Sequence, residues 1–279
     1  QIFGARARKR RGEVAKDRAP KFSFDEGLQV LPDTLCRRLG NAVRLRAEVI
    51  RLRRREDRWE VTVRTVSGEQ VQEHAAVLLA APAFRLAEVA LETGGGDTLA
   101  FLGQIRYPPV SSVVLGFRRE DVVHPCEGFG MLIPRVEGFR ILGTIFSSSL
   151  FPNRAPEGHL TLTTYIGGER QPELASRPAE ELYEMTCEDL GVLLGVRGRP
   201  TFRHHYFWPR AIPQYNLGYG EYRRRMAELE AGDIEALVAA ITRHAGHSEE
   251  ARKAAAYFHE NRERMRYAAF RQAGLCTST

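Results

Sequence analysis

The chain has 279 residues, 43% of them hydrophobic, and 41 Lys and Arg against 35 Asp and Glu leave a formal net charge of +6. This length suggests roughly two domains with a sizeable core, and the composition excludes a wholly disordered chain. No apolar run reaches the ~18–20 residues of a membrane span, and a charged-then-apolar secretory leader is not expected.

Residues 1–21 are basic and poor in apolar side chains. Arg6-Ala-Arg-Lys-Arg-Arg11, with Lys16, Arg18 and Lys21 behind it, reads as a solvated connecting arm, or as a contact for nucleic acid or an anionic membrane surface. The sequence opens at Gln1, so a processed or truncated N-terminus is expected. Cys36, Cys126, Cys187 and Cys276 are far apart and form no CxxC pair; reduced thiols in a cytosolic protein are expected.

Phe22-Ser-Phe24 opens the first ordered element. Leu28, Leu31, Leu35 and Leu39 keep near-helical spacing, with Pro32 in the first turn and Gly40 as the stop. Between residues 42 and 52, Val43, Leu45, Ala47 and Val49 alternate with arginines and predict a strand. Trp59–Arg64 predicts a second strand, and the turn at Ser67-Gly68 leads to a third. Ala75-Ala-Val-Leu-Leu-Ala-Ala-Pro82 is continuously apolar. It predicts a parallel strand buried on both faces, its end facing a nucleotide at the carboxyl edge of a sheet. Phe84–Leu91 and Thr98–Gly103 predict short helical pieces. Gly94-Gly-Gly96 between them lacks GxGxxG spacing and reads as a flexible loop.

After Tyr107-Pro-Pro109 the pattern becomes β-rich. Val110–Phe117, Gly128–Pro134, Phe139–Ser147 and Leu160–Ile166 predict one antiparallel sheet, and Thr201–Trp208 a further strand. Pro178, with Glu180 and Glu181 behind it, opens a helix that Gly195 ends. His204 and His205 are successive in a strand, point to opposite faces and make a poor metal pair. Gly143-Thr-Ile-Phe-Ser-Ser-Ser-Leu-Phe-Pro-Asn-Arg-Ala-Pro156 runs as a strand into an Arg-bearing turn. Its aromatics Phe146 and Phe151 belong either to a core or to the edge of a cavity, and periodicity alone favours the core.

That stretch, with Tyr165-Ile-Gly-Gly168 and Trp208-Pro-Arg-Ala-Ile-Pro-Gln-Tyr215, resembles the oxygen-dependent protoporphyrinogen oxidases. These are FAD-containing enzymes of haem and chlorophyll synthesis in the flavin amine oxidase superfamily. The likeness covers roughly residues 20–230. It implies an α/β (α+β) architecture after a connecting arm over 1–21. A partial FAD-binding domain would span 22–92, an antiparallel-sheet substrate domain 93–222 and a helical tail 223–279. It implies FAD-dependent oxidation of protoporphyrinogen IX, or coproporphyrinogen, with oxygen as acceptor. Such chemistry needs an apolar, aromatic-walled cavity and no metal or Ser/His/Asp triad. By this resemblance Phe146 and Phe129 are substrate walls, Val110 and Val113 match more weakly, and each position keeps a core-packing alternative. Val49, Tyr215 and Gly220 match segments passing near the FAD. No catalytic residue is assigned. The arginine that meets a substrate propionate in the family lies further N-terminal, and Arg154 reads equally as a brace for its own turn.

The family's glycine-rich FAD segments do not occur in this sequence, so the chain alone is expected to bind FAD poorly. Peripheral association with the cytoplasmic membrane, or a cytoplasmic location, is implied. Past residue 232 the sequence predicts two helices. Ile234, Leu237, Val238 and Ile241 lie on one face of the first, and Ser248 caps the second. Tyr257-Phe-His-Glu-Asn-Arg-Glu-Arg-Met-Arg-Tyr267 resembles the late part of a DDE-class insertion-sequence transposase. That implies a fusion, with nucleic acid as partner if the tail is functional. The alternatives are a divergent flavoenzyme C-terminus, a non-catalytic remnant, or another amine-oxidase-like flavoprotein such as a carotenoid desaturase, against which residues 143–156 argue.

Overall fold

The computed structural model describes residues 22–56, 58–93 and 99–229, together with Arg252 and Ala256. In chain order the helices and strands are α1 (Val30–Leu39), β1 (Glu48–Arg55), β2 (Arg58–Thr65), β3 (Gly68–His74), α2 (Ala83–Leu86), β4 (Ala90–Glu92), β5 (Val110–Arg118), β6 (Gly130–Leu132), β7 (Ile141–Phe146), α3 (Ser147–Leu150), β8 (His159–Gly167), α4 (Ala179–Leu194), β9 (Phe202–Trp208) and α5 (Tyr219–Leu229). They divide into two compact units, 22–43 with 108–212 and 44–107 with 213–229.

The first unit is built on five antiparallel strands in the order β6-β7-β8-β5-β9. All four expected segments and the further strand take part. Strand parity decides what the sheet buries, since alternate residues face opposite sides. Val113, Leu115 and Phe117 of β5 meet Leu160, Leu162 and Ile166 of β8 on one face, where Leu182, Leu190 and Leu194 of α4 cover them. Pro178 starts α4, and Gly195 ends it at φ 64°, a left-handed conformation that glycine adopts without a Cβ penalty. Asp189 of α4 is buried and accepts hydrogen bonds from the backbone N–H groups of Arg140 and Ile141 at 2.8 and 3.1 Å. This pins the helix to the start of β7.

Residues 22–43 belong to this unit rather than to the FAD-binding region expected over 22–92. Arg154 holds them there. Its guanidinium donates to Phe24 O at 2.5 Å, Ser23 Oγ at 2.9 Å and Asp25 O at 3.1 Å. Of the two readings of Arg154, the structure shows a brace, and the partner is a segment some 130 positions upstream. Helix α1 forms where its spacing predicts, but it buries no residue: Leu28, Leu31, Leu35 and Leu39 are all exposed.

In the second unit β3-β2-β1-β4 form a sheet, antiparallel except for the β1/β4 pair. Leu52, Val61 and Val63 pack with Val89 on one face. The opposite face carries ion pairs, among them Arg53 with Glu92 and Arg64 with Glu48 and Glu69. A second cluster packs Leu99, Phe101, Leu102 and Ile105 against Tyr219, Tyr222 and Met226 of α5. Residues 213–229 therefore join this unit, and the expected boundary at 222 falls inside a packed helix.

Three expected elements differ. The alternation from Val43 to Val49 does not form one strand: β1 starts at Glu48, and a bulge between Val49 and Arg51 resets the phase so that Leu52 is the buried residue. Residues 75–82 form no strand. The described sheet offers them no neighbouring strand, so their backbone has no ladder to join, and Leu78 stays exposed. The helix expected over 84–91 stops at Leu86, and Ala90–Glu92 instead pairs in parallel with β1. The connecting arm, the glycine run 94–96 and the transposase-like tail lie outside the described residues.

Candidate functional site

The site follows from the two unequal faces of the five-stranded sheet. One is sealed by α4. Of the residues pointing to the other face, Leu132 is 90% exposed, Tyr206 53% and Trp208 48%. Ser112, Val114, Ile145, Thr163 and Tyr165 are half-buried. The registers line these side chains up in rows across the strands. One row reads Leu132, Gly143, Tyr165, Ser112, Tyr206, one residue from each strand in spatial order. Large and small residues alternate along it. At ~4.8 Å between strands the row is about 19 Å long, with Ser112 as a small residue between two tyrosines. A neighbouring row reads Gly130, Ile145, Thr163, Val114, His204.

Gly143 is required by this geometry. A Cβ there would lie 2.5 Å from Met131 O and 3.2 Å from Leu132 Cα, so β6 could not approach. Ser147 fixes the end of β7 through its hydroxyl, 2.8 Å from Thr163 Oγ1. Beneath the sheet, Ser111 Oγ donates to Ala175 O at 2.6 Å and lies 2.8 Å from His205 Nε2. The serine proton is committed to the carbonyl, so the histidine Nε2–H is the donor to Ser111. Burial, and then the neighbouring His204, hold the His205 pKa below its ordinary value. His204 and His205 do lie on opposite faces.

The expected substrate walls separate on this frame. Phe146 takes the core-packing alternative that its position kept. Its register partner is Leu162, it shares the sealed face with Thr144, and it is 3% exposed in the core with its ring 5.5 Å from His124. Val113 is fully buried on the same face. Both are core residues because their parity matches that of Leu162 and Leu115. Val110 has the parity of the open face, pairing with Trp208, and is 8% exposed. Phe129 is exposed just before β6, its carbonyl accepting the Phe146 N–H at 3.0 Å. Sequence reasoning missed Leu132, Tyr165, Tyr206 and Trp208. A signal was present: in Leu160-Thr-Leu-Thr-Thr-Tyr-Ile166 the aliphatic positions mark the core side and Tyr165 the other.

Val49, Tyr215 and Gly220 all fall in the second unit. Val49 is partly exposed on β1. Tyr215 is exposed, its ring edge-on to Tyr219 at a centroid distance of 4.7 Å. Gly220 lies in the first turn of α5, where an added Cβ would meet nothing within 4 Å. These residues do not cradle a pyrophosphate: Glu221 places a carboxylate, paired with Arg224, in the turn whose N–H groups would have to receive phosphate.

Comparison with known proteins gives the relationship. Residues 3–240 match the family of flavin containing amine oxidoreductases. Protoporphyrinogen oxidase 2, chloroplastic/mitochondrial, of Arabidopsis thaliana is 38% identical over 220 residues, which cover 75% of this chain and 43% of that protein. Coproporphyrinogen III oxidase of Bacillus subtilis (strain 168) is 27% identical over 131 residues, 47% of this chain and 27% of that one. A crystal structure from Exiguobacterium sp. 255-15, of a protein assigned as a protoporphyrinogen oxidase, aligns with a TM-score of 0.58 at 20% identity over 75% of this chain and 44% of the other, and so shares the fold. The chain spans less than half the length of each of these relatives. By a match over most of its length, it belongs to the flavin-containing amine oxidoreductase family.

Proposed function

We propose that this chain carries the substrate wall of an FAD-dependent porphyrinogen oxidase. Its substrate is protoporphyrinogen IX, with coproporphyrinogen as the variant, and oxygen is the acceptor. The observation that carries this reading is the uncovered row Leu132, Gly143, Tyr165, Ser112, Tyr206 on a sheet whose other face is rigidly packed. The identity to protoporphyrinogen oxidases supports it.

The wall acts by shape and by excluding water. A tetrapyrrole is a broad, largely apolar ring, and Leu132 and Tyr165 offer it ridges of matching character. Ser112 leaves a recess between Tyr165 and Tyr206. Its hydroxyl lies between these two tyrosines in the row and can accept a hydrogen bond from a ring N–H. Packing of α4 beneath the sheet fixes these positions before substrate arrives, so little ordering remains at binding. Bound FAD would supply the redox chemistry, taking hydride equivalents from the macrocycle and passing electrons to oxygen. Val49, Tyr215 and Gly220 would lie along the flank of that cofactor.

The test is appearance of protoporphyrin IX fluorescence from protoporphyrinogen IX in air, with FAD added to the purified chain. FAD-dependent formation above the buffer rate supports the reading. A rate equal to buffer, together with no porphyrin binding, sinks it. We place the protein in the cytoplasm or at the cytoplasmic face of a membrane, with the basic run of residues 6–11 as the contact. No helix among the described residues is long and apolar enough to cross a membrane. Co-sedimentation with anionic but not with neutral vesicles checks the membrane contact; equal recovery with both contradicts it.

A further inference from the structure

The β9 side of the open face carries two large aromatics that the core does not use, Tyr206 and Trp208, to which the family likeness assigns no role. Tyr206 and Trp208 are alternate residues of β9 and share one face. Their rings lie 4.4 Å apart at 49°, yet each keeps about half its surface exposed, at 53% and 48%. An edge strand is where such residues are normally avoided, because exposed apolar side chains there invite aggregation. On β5 their neighbours are small: Ser112 pairs with Tyr206 and Val110 with Trp208. The aromatic pair therefore stands above the strand beside it. Ser112 pairs on its other side with Tyr165 of β8. The result is a trough floored by Ser112 and bordered by tyrosines two strands apart, about 9.6 Å between backbones. That width admits one pyrrole ring of the macrocycle between the two flanks.

We propose that Tyr206 and Trp208 form the second aromatic wall of the macrocycle site, gripping one edge of the ring against Tyr165. This rests on the porphyrinogen reading of the same face and adds to it the residues that fix where along the sheet the ring stops. The contact between the two rings gives the wall its stiffness, since each limits the rotamers open to the other. The class of ligand is a tetrapyrrole macrocycle, whose individual pyrrole rings each present a π-face. A linear amine lacks the π-face that would use the pair.

The probe is protoporphyrin IX, the stable oxidised form, titrated into the whole chain and followed by its Soret band. The sequence has two tryptophans, Trp59 and Trp208, in different units. Trp59→Phe therefore leaves Trp208 as the single indole, and its emission is read in parallel. Trp208→Ala and Tyr206→Ala are each expected to raise Kd about tenfold, the range of a lost aromatic contact. Trp208→Phe should restore most of the affinity, and Val136→Ala, at an exposed apolar position in the same unit, should leave Kd unchanged. Far-UV circular dichroism confirms that each variant is folded. Saturable binding with the same Kd in wild type, Trp208→Ala and Tyr206→Ala overturns the wall while leaving the porphyrinogen reading standing. Absence of a Soret shift in wild type overturns both.

Discussion

Asp189 on α4 and Arg140 before β7 are joined by the arginine's side chain as well as its backbone. The carboxylate accepts Arg140 N–H at 2.8 Å, and its other oxygen lies 2.8 Å from Nη2 and 3.2 Å from Nε. Asp189 is 5% exposed, while the arginine remains open to solvent on its outer side. Removing the two partners is therefore unequal. Asp189→Ala leaves two backbone N–H groups without an acceptor, while the guanidinium keeps Glu188 Oε2 at 2.8 Å, and is expected to cost about 2–3 kcal/mol. Arg140→Ala leaves the carboxylate its two backbone donors and should cost about 1 kcal/mol. Urea midpoints of the two variants check the order; a larger loss for Arg140→Ala contradicts it.

His205 gives a pH dependence whose sign follows from its surroundings. Burial, then the nearby His204, depress its folded pKa, and the groups it meets on the sealed face are Ser111 and, through it, the Ala175 carbonyl. A depressed histidine favours the neutral form in the fold. Its contribution is complete above the ordinary histidine range and is lost as pH falls below about 6.5. Thermal midpoints between pH 7.5 and 5 should therefore fall with acid, and His205→Gln should flatten that fall. A wild-type midpoint that rises toward pH 5 contradicts the assignment.

Gly143 carries a steric prediction. Its missing Cβ is the space that Met131 O occupies, so Gly143→Ala must push β6 away from β7. The expected cost is about 1–3 kcal/mol. Amide exchange is expected to speed up at Met131 and Leu132, with β5 and β8 still protected. Unchanged protection in β6 would show that the close approach is dispensable.

The sheet was legible in the sequence because its strands alternate and are bounded by Pro, Gly and Asn. The identity of its two faces was less so. Phe146 lies on a strand of which only a few residues alternate, and which face is sealed depends on the register with β8 and on α4, neither written near Phe146. The likeness to a family suggested a wall; the pairing with Leu162 puts the ring in the core. Residues 75–82 were misread for a related reason. An apolar run states that it wants burial on both faces, but not whether a strand lies beside it. Arg154 was a visible charge in a turn, yet its partners Ser23, Phe24 and Asp25 are brought to it only by the fold. The assignment of Val49, Tyr215 and Gly220 to the cofactor rests on the likeness alone; the three share one compact unit.

On the proposed function, the open face and not the sealed one meets the tetrapyrrole. Tyr165→Ala and Phe146→Ala separate the two faces directly when porphyrin affinity and unfolding free energy are measured on the same samples. Tyr165→Ala is expected to weaken protoporphyrin IX binding about tenfold with a small change in stability. Phe146→Ala is expected to lose about 3–4 kcal/mol of stability and to keep its affinity while folded. The reverse pattern, affinity lost at Phe146 and kept at Tyr165, would contradict this reading of the open face.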